Sequence, residues 1–88
     1  MGKLDCFSVD GIDFWFWSRD HMPPHFNAKR RGEWEARVWF MKKKADMIEK
    51  AKWSGRIPRA QRKLLIDLAE QHREDLLKEW EEKVNYAD

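Results

Sequence analysis

The chain has 88 residues, 39% of them charged, with 18 Lys+Arg against 16 Asp+Glu for a formal charge of +2. So short a chain buries roughly 60% of its unfolded surface, which excludes a deep multidomain cleft and most cofactor-binding folds. Near-neutral charge makes no demand for nucleic acid, no apolar run approaches the ~18 residues of a membrane span, and one cysteine builds neither an internal disulfide nor a cysteine-based zinc site. The opening Met1-Gly2-Lys3-Leu4-Asp5-Cys6 has no apolar h-region. A single cytoplasmic domain over residues 1–88, with no cofactor and no membrane contact, is therefore expected.

In chain order, Phe7-Ser8-Val9 is a short candidate strand, and Asp10-Gly11 suits a hairpin turn with positive φ. Ile12 to Trp17 alternates, placing Ile12, Phe14 and Phe16 on one face and Asp13, Trp15 and Trp17 on the other. His25 to Lys29 is a further candidate strand, closed by a turn at Arg30-Arg31-Gly32. From Glu33 to Met41, Trp34, Ala36, Val38 and Phe40 oppose Glu35, Arg37, Trp39 and Met41. Residues 46–53 are ambiguous between a short helix, which propensity allows, and a last, irregular strand, which is the favoured reading. Ser54-Gly55 marks a break, and Pro58 suits the first position of a helix. From there to Val84 no Gly or Pro intervenes. Leu64, Leu65, Leu68, His72, Leu76, Trp80 and Val84 recur at three- and four-residue steps. The expected fold is α+β: a three- to four-stranded antiparallel sheet (about 5–53) packed against one long C-terminal helix (about 58–84). That helix, ~40 Å at 1.5 Å per residue, is longer than a small sheet, so its tail is expected to project or meet a partner.

Trp15, Trp17 and Trp39 fall on the sheet face opposite Phe14, Phe16 and Val38. One amphipathic helix covers one face only, which leaves apolar surface for a protein partner or a second copy. Basic residues cluster at Lys29-Arg30-Arg31, at Lys42-Lys43-Lys44 and at Lys50, Lys52 and Arg56. They flank strand ends, and one shared edge of the sheet is expected to gather them. With the three indoles, Lys29, Arg30 and Arg31 also make a candidate nucleic-acid surface, phosphates on the cations and bases on the rings.

The least generic stretch is His21-Met22-Pro23-Pro24-His25-Phe26-Asn27. Two prolines fix two φ angles, remove two backbone donors and push Met22 and Pro23 out of the helical region. Two histidines are thus held in stiff chain, as a site requires. This stretch resembles the histidine–diproline–histidine signature of the small bacterial domain-of-unknown-function family four-one-six-zero. Gly55-Arg56-Ile57-Pro58 and Gln71-His72-Arg73-Glu74-Asp75-Leu76-Leu77-Lys78-Glu79-Trp80 also match its pattern, so the resemblance spans residues 12 to 80. It implies a component of a toxin–antitoxin-like pair, with a partner protein and some link to nucleic acid. Many members carry a third histidine where this chain has Asn27, which puts a three-histidine mechanism in doubt here.

Three chemistries compete for the motif. Metal binding by residues 25 and 27 is weakened by Asn27, a poor zinc ligand, and no metal site is expected. Metal-independent RNA cleavage needs an acid, a base and a phosphate cation, for which His21, His25 and Arg19 are the candidates. A structural role needs only that the ring N–H groups cap carbonyls freed around Pro23 and Pro24. His72, on the apolar stripe with Trp80, is expected to be a buried, hydrogen-bonded core histidine. The leading reading is a non-enzymatic interaction module, with the ribonuclease and a non-catalytic RNA or DNA binder as alternatives.

Overall fold

The computed structural model of the chain describes residues 2–84. Five strands form one antiparallel meander: β1 (Gly2–Lys3), β2 (Asp13–Phe16), β3 (Phe26–Arg30), β4 (Trp34–Val38) and β5 (Ile48–Lys50), in the order β1-β2-β3-β4-β5. Two helices follow, α1 (Arg59–Gln71) and α2 (Arg73–Lys83). The α+β class is as expected, but the sheet has five strands instead of three or four, and the C-terminal helix is two helices.

Alternation sets the inner face. Cross-strand partners Phe14↔Ala28↔Ala36 and Phe26↔Val38 point one way, and helix residues Leu65, Ala69, Leu76, Trp80 and Val84 complete the core against them. Phe16, Phe26, Trp34, Val38, Phe40 and Leu76 are fully enclosed. Burying side chains of this size at about 1.5–3 kcal/mol each is the main force holding so small a fold. The Asp10-Gly11 turn has the expected positive φ, +85° at Gly11. It joins Val9 and Ile12 by an isolated bridge, so Phe7-Ser8-Val9 is not a strand.

The sequence pattern misses β1 because Gly2–Lys3 carries no alternation. Its position is set from the far end of the chain. The Glu79 carboxylate accepts hydrogen bonds from the backbone N–H groups of Asp5 (2.8 Å) and Cys6 (2.9 Å). The Lys83 ammonium donates to the Lys3 carbonyl (2.7 Å), to Asp5 (2.8 Å) and to Glu79 (2.7 Å). The N-terminal strap is thereby clamped to α2.

The helix breaks at His72 (φ −109°, ψ 19°) although the hydrogen bonds His72 N–H to Leu68 O (3.0 Å) and Leu76 N–H to His72 O (2.8 Å) continue through it. The break is a kink, not a loop. A straight helix of ~40 Å would overhang a molecule whose longest extent is 34 Å. The bend instead returns Leu76, Trp80 and Val84 to the core, so through Val84 the helix packs on the molecule rather than projecting from it as expected. At the kink the His72 ring lies 5.1 Å from Phe7, and Arg73 Nε donates to the Phe40 carbonyl at 2.9 Å. His72 is half-buried at this junction rather than enclosed in the core.

Candidate functional site

In a meander, successive turns fall at opposite ends of the sheet. The diproline connection between β2 and β3 therefore lies at the same end as the β4–β5 connection. The Asp10-Gly11 turn, the Arg30–Glu33 turn and the segment after β5 lie at the other. The basic clusters are consequently split: Lys42-Lys43-Lys44 sits at the diproline end, while Arg30, Arg31, Lys52 and Arg56 sit at the opposite end. They do not share an edge.

At the diproline end, a turn from Trp17 to Asp20 is closed twice over. The Asp20 N–H donates to the Trp17 carbonyl at 3.2 Å, and the Trp17 N–H donates to Asp20 Oδ2 at 3.0 Å. Asp20 is buried, and its other oxygen lies 3.5 Å from His25 Nε2. The Met22–Pro23 peptide bond is cis. His25, 2% exposed, has Nδ1 3.0 Å from the Pro23 carbonyl, which can only accept, so this nitrogen carries the hydrogen. The imidazole is wedged 4.3 Å from the Trp39 ring and 5.5 Å from Trp80. His21 and Arg19 are exposed, as is Pro23, while Pro24 is buried.

The two histidines thus occupy unlike environments. One is a solvent-facing side chain and the other an enclosed wedge with both nitrogens turned toward protein atoms. Asn27 is buried too, and its amide donates to the Trp15 carbonyl at 3.2 Å across the β2–β3 ladder. Among the described residues no cluster of three or more His, Cys, Asp or Glu is placed to hold a metal ion.

On the outer face, the row Lys3, Trp15, Asn27, Arg37, Glu49 crosses all five strands, flanked by Asp13, Lys29 and Glu35. The face is less apolar than the spacing of its indoles implies. Trp15 is 7% exposed, its ring edge-on to Trp17 at 5.8 Å, and its indole N–H has no hydrogen-bond acceptor among the described residues. Ion pairs Lys29–Glu35 (3.9 Å) and Arg37–Glu49 (3.8 Å) balance charge across strands. A groove of about 940 Å³ opens beside β2, between Phe7, Trp15, Trp17 and Lys29.

The exposed apolar surface collects instead at the diproline end. Trp17 (49%), Met22 (56%) and Met41 (47%) are exposed there, with the half-buried Trp39 between strand and turn. Lys42 Nζ stands 4.8 Å from the centre of the Trp39 ring. Arg19, Lys42 and Lys43 form no ion pair among the described residues.

Residues 11–81 match the family model described as "Domain of unknown function (DUF4160)". The chain belongs to that family. Among curated proteins and solved structures, none matches it. The histidine–diproline–histidine stretch, the kink at His72 and Trp80 all fall inside the part that matches the DUF4160 family. The clamp on Glu79 joins the matched part to residues that precede it.

Two functional-looking residues escaped the sequence pattern. Asp20 was readable only as a turn residue three positions after Trp17, a spacing at which its carboxylate reaches back to the Trp17 N–H. Glu79 showed locally only its i,i+4 spacing to Lys83, because its backbone partners at Asp5 and Cys6 lie more than 70 residues away. No helix among the described residues is long and apolar enough to cross a membrane.

Proposed function

We propose that this chain is a protein-interaction module, a component of a toxin–antitoxin-like pair, whose contact surface is the diproline end of the sheet. The observation that carries this reading is that three of the exposed large apolar residues, Trp17, Met22 and Met41, lie at this one end together with the half-buried Trp39 and with Arg19, Lys42 and Lys43, cations that form no ion pair among the described residues. Aromatic and Met side chains are enriched in interface centres, and large exposed apolar clusters on a small fold are normally covered. The charge of these cations selects the partner: like charges would be brought together by a second copy docking here, whereas carboxylates around an apolar patch would complement it.

The diproline motif serves that surface as a scaffold. Asp20 and His25 lock the connection from beneath, so Trp17 and Met22 are displayed on stiff chain at a low entropic cost of binding. An acid–base ribonuclease is less well supported, because a general base needs an accessible lone pair and His25 is enclosed. The test is recovery of partners from the cells that produce the protein, using the tagged wild type, Trp17→Glu/Met41→Glu and Trp53→Glu. A protein with an acidic, apolar surface that is retained by wild type and Trp53→Glu and lost by the double variant supports the reading. Equal recovery by all three, or by none, overturns it.

A further inference from the structure

The end of the sheet opposite the diproline turn has a different character. Between Glu49 and Asp67 the chain carries Lys50, Lys52, Arg56, Arg59, Arg62 and Lys63 and no acidic residue. Three contacts fold this basic stretch against the β3–β4 turn. The Ala51 N–H donates to the Glu35 carbonyl (2.9 Å), the Gly55 N–H donates to the Glu33 carbonyl (3.1 Å), and the Trp34 indole donates to Gln61 at 2.6 Å. The segment after β5, the turn bearing Arg31 and the first turns of α1 thus share one end of the molecule.

Three carboxylates near this end are already engaged. Glu33 pairs with Arg30 at 2.8 Å, Glu35 with Lys29, and Asp67 with Lys63 at 2.7 Å. Two more, Asp10 and Asp13 beside the neighbouring turn, are exposed and form no ion pair among the described residues, so the end holds more free cations than free carboxylates. Arg31, Lys52, Arg56, Arg59 and Arg62 are exposed and have no ion-pair partner among the described residues. The first turn of α1 holds no acidic residue to offset them. In their midst Trp53 is 60% exposed, more than any other large apolar side chain described, with Lys29 Nζ 5.7 Å from its ring centre.

We propose that this end binds single-stranded nucleic acid, with phosphates on Arg31, Arg56, Arg59 and Arg62 and a base stacked on Trp53. Guanidinium groups recognise phosphate oxygens with paired donors, and four of the five free cations are arginines. An acidic protein segment would use the cations but gains little from a bare indole among them. A nucleobase uses both, since stacking on an aromatic ring accepts any base. A duplex hides its base faces and leaves Trp53 unused.

The experiment is fluorescence anisotropy of a labelled oligouridine titrated with the full chain at low salt. Binding is expected, with log affinity falling against log salt by about 0.7 for each phosphate contacted. Trp53→Ala should weaken it roughly five- to hundredfold. Arg56→Ala/Arg59→Ala/Arg62→Ala should abolish it, while Lys42→Ala/Lys43→Ala at the other end leaves it unchanged. All these positions are exposed, and an unaltered thermal melt confirms that each variant is folded. No binding at low salt, binding indifferent to Trp53→Ala, or tighter binding of poly-glutamate than of oligouridine overturns the proposal.

Discussion

Replacing His25 by Ala separates a structural histidine from a chemical one. The substitution removes a buried ring that touches Trp39 and Trp80 and takes its N–H from the Pro23 carbonyl. Two aromatic contacts contribute about 1–2 kcal/mol together. A carbonyl left without its donor costs about 1 kcal/mol where water can reach it in part. The hole left by the imidazole adds about 1 kcal/mol. The sum, about 3–4 kcal/mol, is a large fraction of the stability of a domain this size and corresponds to a fall in Tm of roughly 12–32 °C. His25→Phe keeps the ring contacts and loses only the polar ones, so it should fall between Ala and wild type. His21→Ala, on the exposed side of the prolines, should stay within about 0.5 kcal/mol of wild type. Urea titration of the four proteins, followed by tryptophan fluorescence, checks the series. If His25→Ala matched wild type while His21→Ala was strongly destabilised, the assignment of the wedge would be wrong.

The clamp on the N-terminal strap makes stability depend on acid. Burial alone would raise the Glu79 carboxyl, but hydrogen bonds from Cys6, Lys83 and the Asp5 and Cys6 backbone outweigh it and hold the value below the ordinary 4.5. A lowered carboxylate stabilises the fold fully above that ordinary value and loses its contribution as pH falls through the folded one. Glu79→Gln should therefore cost about 1–3 kcal/mol at neutral pH, with the gap to wild type closing below pH 4.5 in melts across pH; a gap that widens toward acid contradicts the clamp. The Cys6 thiol is pushed up to about 12, first by burial and then by its hydrogen bond to Glu79 and the Glu79 charge. It should react slowly with a disulfide reagent at pH 8 until denaturant is added, and rapid labelling of the native protein contradicts the assignment. A Cβ at Gly55 would stand 2.5 Å from the Glu33 carbonyl oxygen, so Gly55→Ala should destabilise by about 1–3 kcal/mol in a thermal melt, and a neutral result contradicts that close approach.

How far the fold was legible depended on whether its cause was local. Strands β2, β3 and β4 were readable because Phe14/Trp15/Phe16 and Trp34 to Val38 alternate, and a two-sided pattern has one way to face a core. Strand β1 was not, since two residues without a pattern are placed by their ladder with β2 and by the distant Glu79 and Lys83. The kink at His72 had no Gly or Pro to announce it and follows from the size of the sheet that the helix must hug. The same limit applies to the site. The stiffness of Met22-Pro23-Pro24 was visible, but the opposite fates of His21 and His25 were not, because they hinge on Asp20 folding back within the same connection and on Trp39 and Trp80 arriving from two other segments. The outer face looked greasy because alternation counts rings without their covers. Trp15 is enclosed, and the exposed ring that matters at the basic end, Trp53, lay in a stretch that read as an irregular strand.

A docking surface at the diproline end, held in place by a structural histidine, should lose its occupant in the Trp17→Glu/Met41→Glu variant, which partner recovery from the producing cells measures. Loss of one specific acidic partner, with the melting temperature of the variant unchanged and Trp53→Glu still binding, is the expected result. Retention of every partner by a folded double variant would contradict it.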